Sequence, residues 1–122
     1  MTEIKNSKQY GLEDRTLNFT KNVIRLINEI PKSLANGEIS RQLVRSAGSV
    51  GANYIEANES LSKKDFVMRI KICRKEAKES RYWLRLIQCN DEIIDEQRKL
   101  VQESQELMKI FGAILEKTNP KP

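Results

Sequence analysis

The last third of the chain carries an apolar repeat of seven residues, which severely limits the folds open to it. Apolar side chains recur in two adjacent rows, Ile93, Leu100, Leu107 and Ile114 in one, and Ile94, Val101, Met108 and Leu115 in the other. A strict seven-residue repeat makes a helix supercoil to the left against its neighbours, as helices do in a four-helix bundle. The repeat predicts a helix from about Asp91 to Thr118 that packs against several others.

Three further helices are predicted upstream, over residues 12–30, 38–60 and 63–90. Each has apolar residues at helical spacing, as in Leu12, Phe19, Val23 and Leu26. Pro31 and the Asn36-Gly37 pair indicate a turn before the second helix, and Ser62 is a suitable N-cap for the third. Because the connections are short, consecutive helices should be antiparallel. The fold class predicted is all-α, a single antiparallel up-down four-helix bundle over residues 1–122 that assembles as a homo-oligomer.

Two glycines in the second helix disfavour a helix locally. Gly48 and Gly51 each cost about 1 kcal/mol relative to alanine in a helix interior. One explanation is a close helix crossing that only small residues permit. The other is a kink at a functional cleft, and both interpretations stay open at this point.

Composition argues against an enzyme and against a membrane protein. The 122 residues include no histidine, which removes the usual general base and the commonest metal ligand. No glycine-rich phosphate loop is present, so neither a cofactor nor a catalytic residue is predicted, and no metal site. No apolar stretch approaches the roughly 20 residues that span a bilayer, and Met1–Tyr10 lacks the apolar centre of a signal peptide. Cys73 and Cys89 are too far apart along one helix to pair, which favours reduced thiols and a cytoplasmic location.

The third predicted helix holds the excess positive charge of the chain. Between Lys63 and Ile87 there are nine Lys or Arg residues against three Asp or Glu, whereas the whole chain has a net charge of only +5. Five cations follow one helical face and are the candidate nucleic-acid contacts: Lys71, Arg74, Lys78, Arg81 and Arg85. They could bind phosphates, or they could pair, within or between subunits, with the acidic row Glu92, Glu96, Glu103 and Glu106 of the fourth helix. A plain solvated face is the third interpretation.

A polar row on the second helix is the other candidate site. Arg45, Ser49, Asn53 and Glu56 recur at helical spacing. They could be solvent-exposed, could form a network with the basic helix or another subunit, or could line a ligand pocket. Trp83 is grouped with them as a core or interface residue, although Tyr82 and Trp83 beside Arg81 and Arg85 also suggest a platform for base stacking.

The segment Arg45–Asn53, followed by Glu56-Ala57, resembles the central signature of a bacterial four-helix bundle family. Members are also described as 23S rRNA intervening sequence proteins. Lys64-Asp65-Phe66, Lys75–Ser80 and Tyr82-Trp83-Leu84 are similar too, so the resemblance covers about residues 12–114. It implies an up-down four-helix bundle assembled as a ring-shaped pentamer. Accessory variability proteins of diversity-generating retroelements, a related group, are positively charged, bind nucleic acid and engage a reverse transcriptase.

Two functions therefore remain open. The first is a non-enzymatic, oligomeric accessory protein that binds RNA or DNA non-specifically through the basic face of the third helix. A reverse transcriptase or another ribonucleoprotein component would be a further partner. The second is an oligomeric scaffold whose basic face pairs with acidic protein surfaces. Neither requires a membrane.

Overall fold

The computed structural model describes residues 7–118, with side chains from residue 11 onward. This part of the chain is all-α, with four helices and no strand, which confirms the all-α part of the predicted fold class. Its four helices are α1 (Ser7–Ile27), α2 (Leu34–Asn58), α3 (Lys63–Leu86) and α4 (Ile94–Thr118). Residues 119–122, beyond the predicted end of the fourth helix, lie outside the described residues, and so does most of the polar N-terminal segment. Over the described helices, none combines the length and apolarity needed to span a bilayer.

Contacts between helix ends show that successive helices run in opposite directions. Glu13, near the start of α1, accepts a hydrogen bond of 2.8 Å from Asn58 at the end of α2. Asn36, near the start of α2, bonds to the main chain of Gln88 just beyond α3. Gln97, near the start of α4, donates to main-chain carbonyls at the end of α3. Each helix packs against the next, and α4 also contacts α1.

The start of α2 differs from the prediction. Asn36-Gly37 lies inside the first helical turn rather than in a turn before it, because Ser33 caps the helix and accepts a hydrogen bond from the main-chain N–H of Asn36. The Asn36 side chain donates to the carbonyls of Pro31 and Gln88 and accepts from the Gln88 N–H. An asparagine next to a glycine usually favours a local turn, but here its side chain makes tertiary contacts instead.

The other helix ends deviate by a few residues. α1 ends at Ile27, and Ile30 packs against the core from the connection that follows. α3 ends at Leu86, because Ile87 takes an extended conformation that buries its side chain. The fourth helix opens with a 3-10 turn over Asp91–Ile93. In each case an apolar side chain packs against the core from a residue outside the α-helix. The spacing of apolar residues alone cannot distinguish such a residue from one in the helix.

The two apolar rows of α4 have different surroundings. From the first row, Leu100 and Leu107 are buried in the core, where Phe111 also packs against Tyr54 with ring centroids 6.1 Å apart. The members of the second row, such as Val101 and Met108, are half-buried and pack at the edge of that core. The repeat thus places most of the first row inside the bundle, with Ile114 half-buried, and the second row along its margin.

The two glycines of α2 have different explanations. The helix continues through both glycines, so there is no break at this point. A Cβ atom on Gly51 would lie 3.1 Å from Oγ1 of the buried Thr16 on α1, which confirms a close helix crossing at this point. A Cβ atom on Gly48 would meet nothing within 4 Å. Packing therefore explains Gly51, and nothing in the structure explains Gly48.

Candidate functional site

The five predicted cations lie along the side of α3 that faces away from the core. Four of them are exposed, and Arg81 is half-buried: Lys71, Arg74, Lys78 and Arg85 are the exposed ones. The Nε atom of Arg81 is buried and has no hydrogen-bond acceptor within residues 11–118. The buried residues of the same helix, among them Ile70, Cys73 and Leu84, define the opposite side. The sequence spacing therefore places four of the five cations on one outer surface, and Arg81 lies at the margin of that surface.

None of the five cations forms an ion pair in the described part of the chain. The carboxylates of α3 do not neutralise them. Glu76 is buried, Glu79 is bound by an arginine of α2, and Asp65 lies at the opposite end of the helix from Arg85. The outer surface of α3 therefore keeps its positive charge.

Arg45 of α2 contacts two carboxylates of α3, those of Glu76 and Glu79. Its guanidinium donates a short hydrogen bond to Glu79 and lies 3.8 Å from Glu76. Trp83 also donates its indole N–H to Glu79, at 3.1 Å. The hydrogen bond from Trp83, followed by the hydrogen bond and charge of Arg45, lowers the pKa of the Glu79 carboxyl, which stays ionised at neutral pH. One oxygen of Glu76 is buried with no hydrogen-bond partner in the described residues, so the charge of Arg45 is its principal compensation.

The rest of the polar row on α2 forms a second, separate network. Asn53 donates to the side chain of Ser49 and accepts a hydrogen bond of 2.9 Å from Arg69 on α3. Glu56 is exposed and does not join this network. Two members of the row, Arg45 and Asn53, therefore connect α2 to α3, Ser49 supports Asn53 on the same helix, and Glu56 takes no part. Sequence reasoning missed Arg69, because it lies off the predicted basic face.

The acidic residues of α4 do not pair with the basic residues of α3 within the described chain. Instead, Glu103 and Glu106 bind Arg15 of α1, with N–O distances of 2.6 to 2.8 Å. Glu96 pairs with Lys99 on its own helix, at 3.7 Å. The sequence analysis did not single out Arg15, because helical spacing does not identify ion-pair partners on another helix. The intramolecular form of the predicted pairing between α3 and α4 is thus wrong.

Tyr82 and Trp83 are in contact but differ in exposure. Tyr82 is 58% exposed, whereas Trp83 is half-buried and packs against the core. Their rings meet edge to face, with centroids 5.0 Å apart. Trp83 thus belongs to the α2–α3 contact through Glu79, and Tyr82 lies on the outer surface among the cations.

One groove on the surface is lined by charged residues of both signs. The groove between α1 and α4 has a volume of about 540 Å³, and its charged lining residues are Arg25, Glu29, Glu92, Glu96, Lys99 and Glu103. Over the described residues, no three His, Cys, Asp or Glu side chains are grouped as metal ligands. Burial raises the pKa of the Cys73 thiol to about 12, so this cysteine is unreactive at neutral pH.

Comparison with protein families gives one match over most of the chain. The model of the 23S rRNA-intervening sequence proteins matches residues 8–113, which include the signature on α2 and the whole of α3. The chain belongs to this family. A solved structure of another protein is similar to this 23S rRNA-intervening sequence protein and covers 84% of the present chain. That protein, of unknown function, comes from Bacteroides thetaiotaomicron and is described as a member of the S23 ribosomal protein family.

The Bacteroides protein is 29% identical in sequence to the present chain, with a TM-score of 0.69. The similar region covers 96% of the Bacteroides chain. The comparison with curated proteins gives no match. Membership therefore supports the four-helix fold and leaves the biochemical activity to be argued from the surface.

Proposed function

We propose that this 23S rRNA-intervening sequence protein is a non-enzymatic, homo-oligomeric accessory protein that binds RNA or DNA through the outer surface of α3. The observation that carries the proposal is the absence of any ion pair at the five cations within the described residues. The two carboxylates that could neutralise them, Glu76 and Glu79, are drawn toward Arg45 on α2. Five cations aligned on one helix with no internal partner favour a polyanionic ligand.

The length of the surface suits a nucleic-acid backbone. Lys71 and Arg85 are fourteen residues apart, which corresponds to about 21 Å along a helix. A strand in a duplex carries one phosphate per 3.4 Å or so, so the surface spans roughly six phosphates. No base-reading motif accompanies the cations, so we expect binding with little sequence preference.

The proposal is tested by the salt dependence of binding. Each phosphate contact contributes about 0.7 to 0.9 to the slope of log affinity against log salt, so affinity should fall steeply between about 50 and 200 mM salt. Arg81→Gln combined with Arg85→Gln should weaken binding to unrelated sequences equally and flatten the slope by about 1.4 to 1.8. The matched control is Arg41→Gln with Arg98→Gln, two exposed arginines on other helices. A wild-type protein without affinity for RNA or DNA at about 50 mM salt contradicts the proposal.

The scaffold function has one observation in its favour. The groove between α1 and α4 is lined by four carboxylates against two cations, and two of the carboxylates, Glu29 and Glu92, have no ion pair within residues 11–118, so they could meet the α3 surface of another copy. Assembly through this pairing gives a ring if the rotation between subunits closes, and the family resemblance makes a pentamer the expected form. Light scattering coupled to size exclusion measures the mass directly. If the Arg81→Gln, Arg85→Gln variant binds nucleic acid normally but dissociates into 14.1 kDa monomers, the scaffold function is the correct one.

A protein partner forms the last part of the proposal. We infer from the family resemblance that a reverse transcriptase or another ribonucleoprotein component binds the same assembly. Co-purification of such a partner that survives nuclease treatment supports direct protein contact, whereas loss after nuclease treatment shows that nucleic acid bridges the two.

A further inference from the structure

Tyr82 occupies a position that the fold itself does not require. It lies at the centre of the outward side of α3, where Lys71, Lys75 and Lys78 precede it at spacings of four, three and four residues. Arg85 follows three residues later. The ring is 58% exposed, and its hydroxyl has no hydrogen-bond partner among residues 11–118. An aromatic side chain thus continues a row of cations on the solvent side of the bundle.

The ring of Tyr82 is also held in place by its neighbour. It rests on Trp83 with centroids 5.0 Å apart and an interplanar angle of 75°. The indole of Trp83 is fixed in turn by its hydrogen bond to Glu79, which Arg45 binds from α2. This chain of contacts limits the orientations of the Tyr82 ring before any ligand arrives. A pre-oriented ring loses less conformational entropy on binding than a freely rotating one.

We propose that Tyr82 stacks on an unpaired base, so that the α3 surface prefers single-stranded RNA or DNA over duplex. This inference rests on the proposed function, because the cations must hold the backbone while the ring contacts the base. Every base has a π-face, so stacking on tyrosine adds affinity without reading sequence. In a duplex both faces of each internal base are covered by neighbouring base pairs, and only the phosphate contacts remain.

The test compares single strands and a duplex of equal length, about 16 nucleotides, by fluorescence anisotropy. Tyr82→Ala should weaken binding to single strands by about 5-fold to 150-fold, the range found when a stacking aromatic is removed, and leave duplex binding within about 2-fold. Tyr82→Phe should bind single strands like the wild type, because the ring remains. The matched control is Ile55→Ala, which removes an apolar side chain of similar exposure, 51%, from α2.

Trp83 offers a second readout, because it is the only tryptophan in the chain. Its ring contacts Tyr82, so a base stacked on Tyr82 should change the tryptophan emission with single strands and not with duplex. RNA and DNA strands of the same sequence, run side by side, show whether the sugar contributes.

Three results overturn parts of the argument, and they are distinguishable. If the wild type binds neither single strands nor duplex, the proposed function fails together with the inference. If it binds both equally and Tyr82→Ala changes neither, the inference fails and the proposed function stands. If Tyr82→Ala alters the mass measured by light scattering while its affinity for single strands is unchanged, Tyr82 contacts another subunit and the stacking role is wrong.

Discussion

Arg15 and the cations on the outside of α3 carry the same charge in very different surroundings. Arg15 lies between two carboxylates of α4, with N–O distances of 2.6 and 2.8 Å to Glu103 and 2.7 Å to Glu106. Lys71 and Arg85, by contrast, have no ion-pair partner within residues 11–118. A cation that is hydrogen-bonded to carboxylates of another helix would have to break those bonds to bind a ligand, whereas an unpaired cation would not. Net charge alone does not distinguish the two.

The largest effect should come from reversing the unpaired cations. Replacing three of them with glutamate should weaken nucleic-acid binding by about 100-fold or more, because phosphate contacts become repulsions. The variant is Lys71→Glu, Lys78→Glu and Arg85→Glu. Folding stability should change little, because exposed substitutions usually stay within about 0.5 kcal/mol each.

The matched control changes the net charge equally at exposed lysines on other helices. It carries Lys21→Glu, Lys109→Glu and Lys117→Glu. Anisotropy titrations of both variants separate a local surface from a general charge effect. Equal losses of affinity in the two variants contradict the assignment of binding to α3.

The next effect should come from Arg45, which holds the carboxylates of α3 away from the outer surface. Arg45→Met should lower the free energy of unfolding by about 2 kcal/mol, because Glu76, whose side chain is 8% exposed, loses its cation. This figure is below that for a fully buried pair, since Arg45 itself is 53% exposed. Urea denaturation measures the difference. Arg41→Met is the control and should change stability by less than about 0.5 kcal/mol; a similar loss there would argue against the network.

A smaller effect is expected at Arg15. Arg15→Met should lower the free energy of unfolding by about 1 kcal/mol, because the hydrogen bonds to Glu103 and Glu106 are charge-assisted but partly exposed to solvent. Lys21→Met, on the exposed side of the same helix, controls for the loss of one positive charge. If both variants have the same free energy of unfolding, the ion pairs of Arg15 contribute no measurable stability.

The smallest effect concerns acid pH. The pKa of Glu106 is lowered by the hydrogen bond from Gln102 and then by Arg15, and the pKa of Glu79 is lowered by Trp83 and then by Arg45. Below the ordinary glutamate pKa of about 4.3 the unfolded chain binds more protons, so stability falls as the pH decreases. Arg15→Met should reduce this acid dependence slightly, and urea denaturation between about pH 3 and 7 tests it. An identical pH profile in the variant would exclude Arg15 as a cause.

Sequence reasoning predicted the fold better than it predicted the contacts. The seven-residue repeat of α4 and the outward row of α3 follow from periodicity, which the structure preserves. Periodicity does not specify partners across helices, so it gives no sign that Arg15 binds Glu103 and Glu106, and the α3–α4 pairing expected within one chain is absent from the described residues. The start of α2 was also misplaced, because Asn36 has the preferences of a turn residue while its actual contacts come from a distant segment.

Asn36 makes the two ends of the bundle unequal during folding and unfolding. Its side chain bonds to Pro31 in the connection before α2 and to Gln88 in the connection after α3, and Gln88 is 52 residues from Asn36 in sequence. At the opposite end, Leu61 in the α2–α3 connection is 98% exposed and does not pack against the core. Local opening should therefore start near Leu61 rather than at the Asn36 end. In hydrogen exchange, the Gln88 amide should then be protected by its bond to Asn36, although it lies outside any helix.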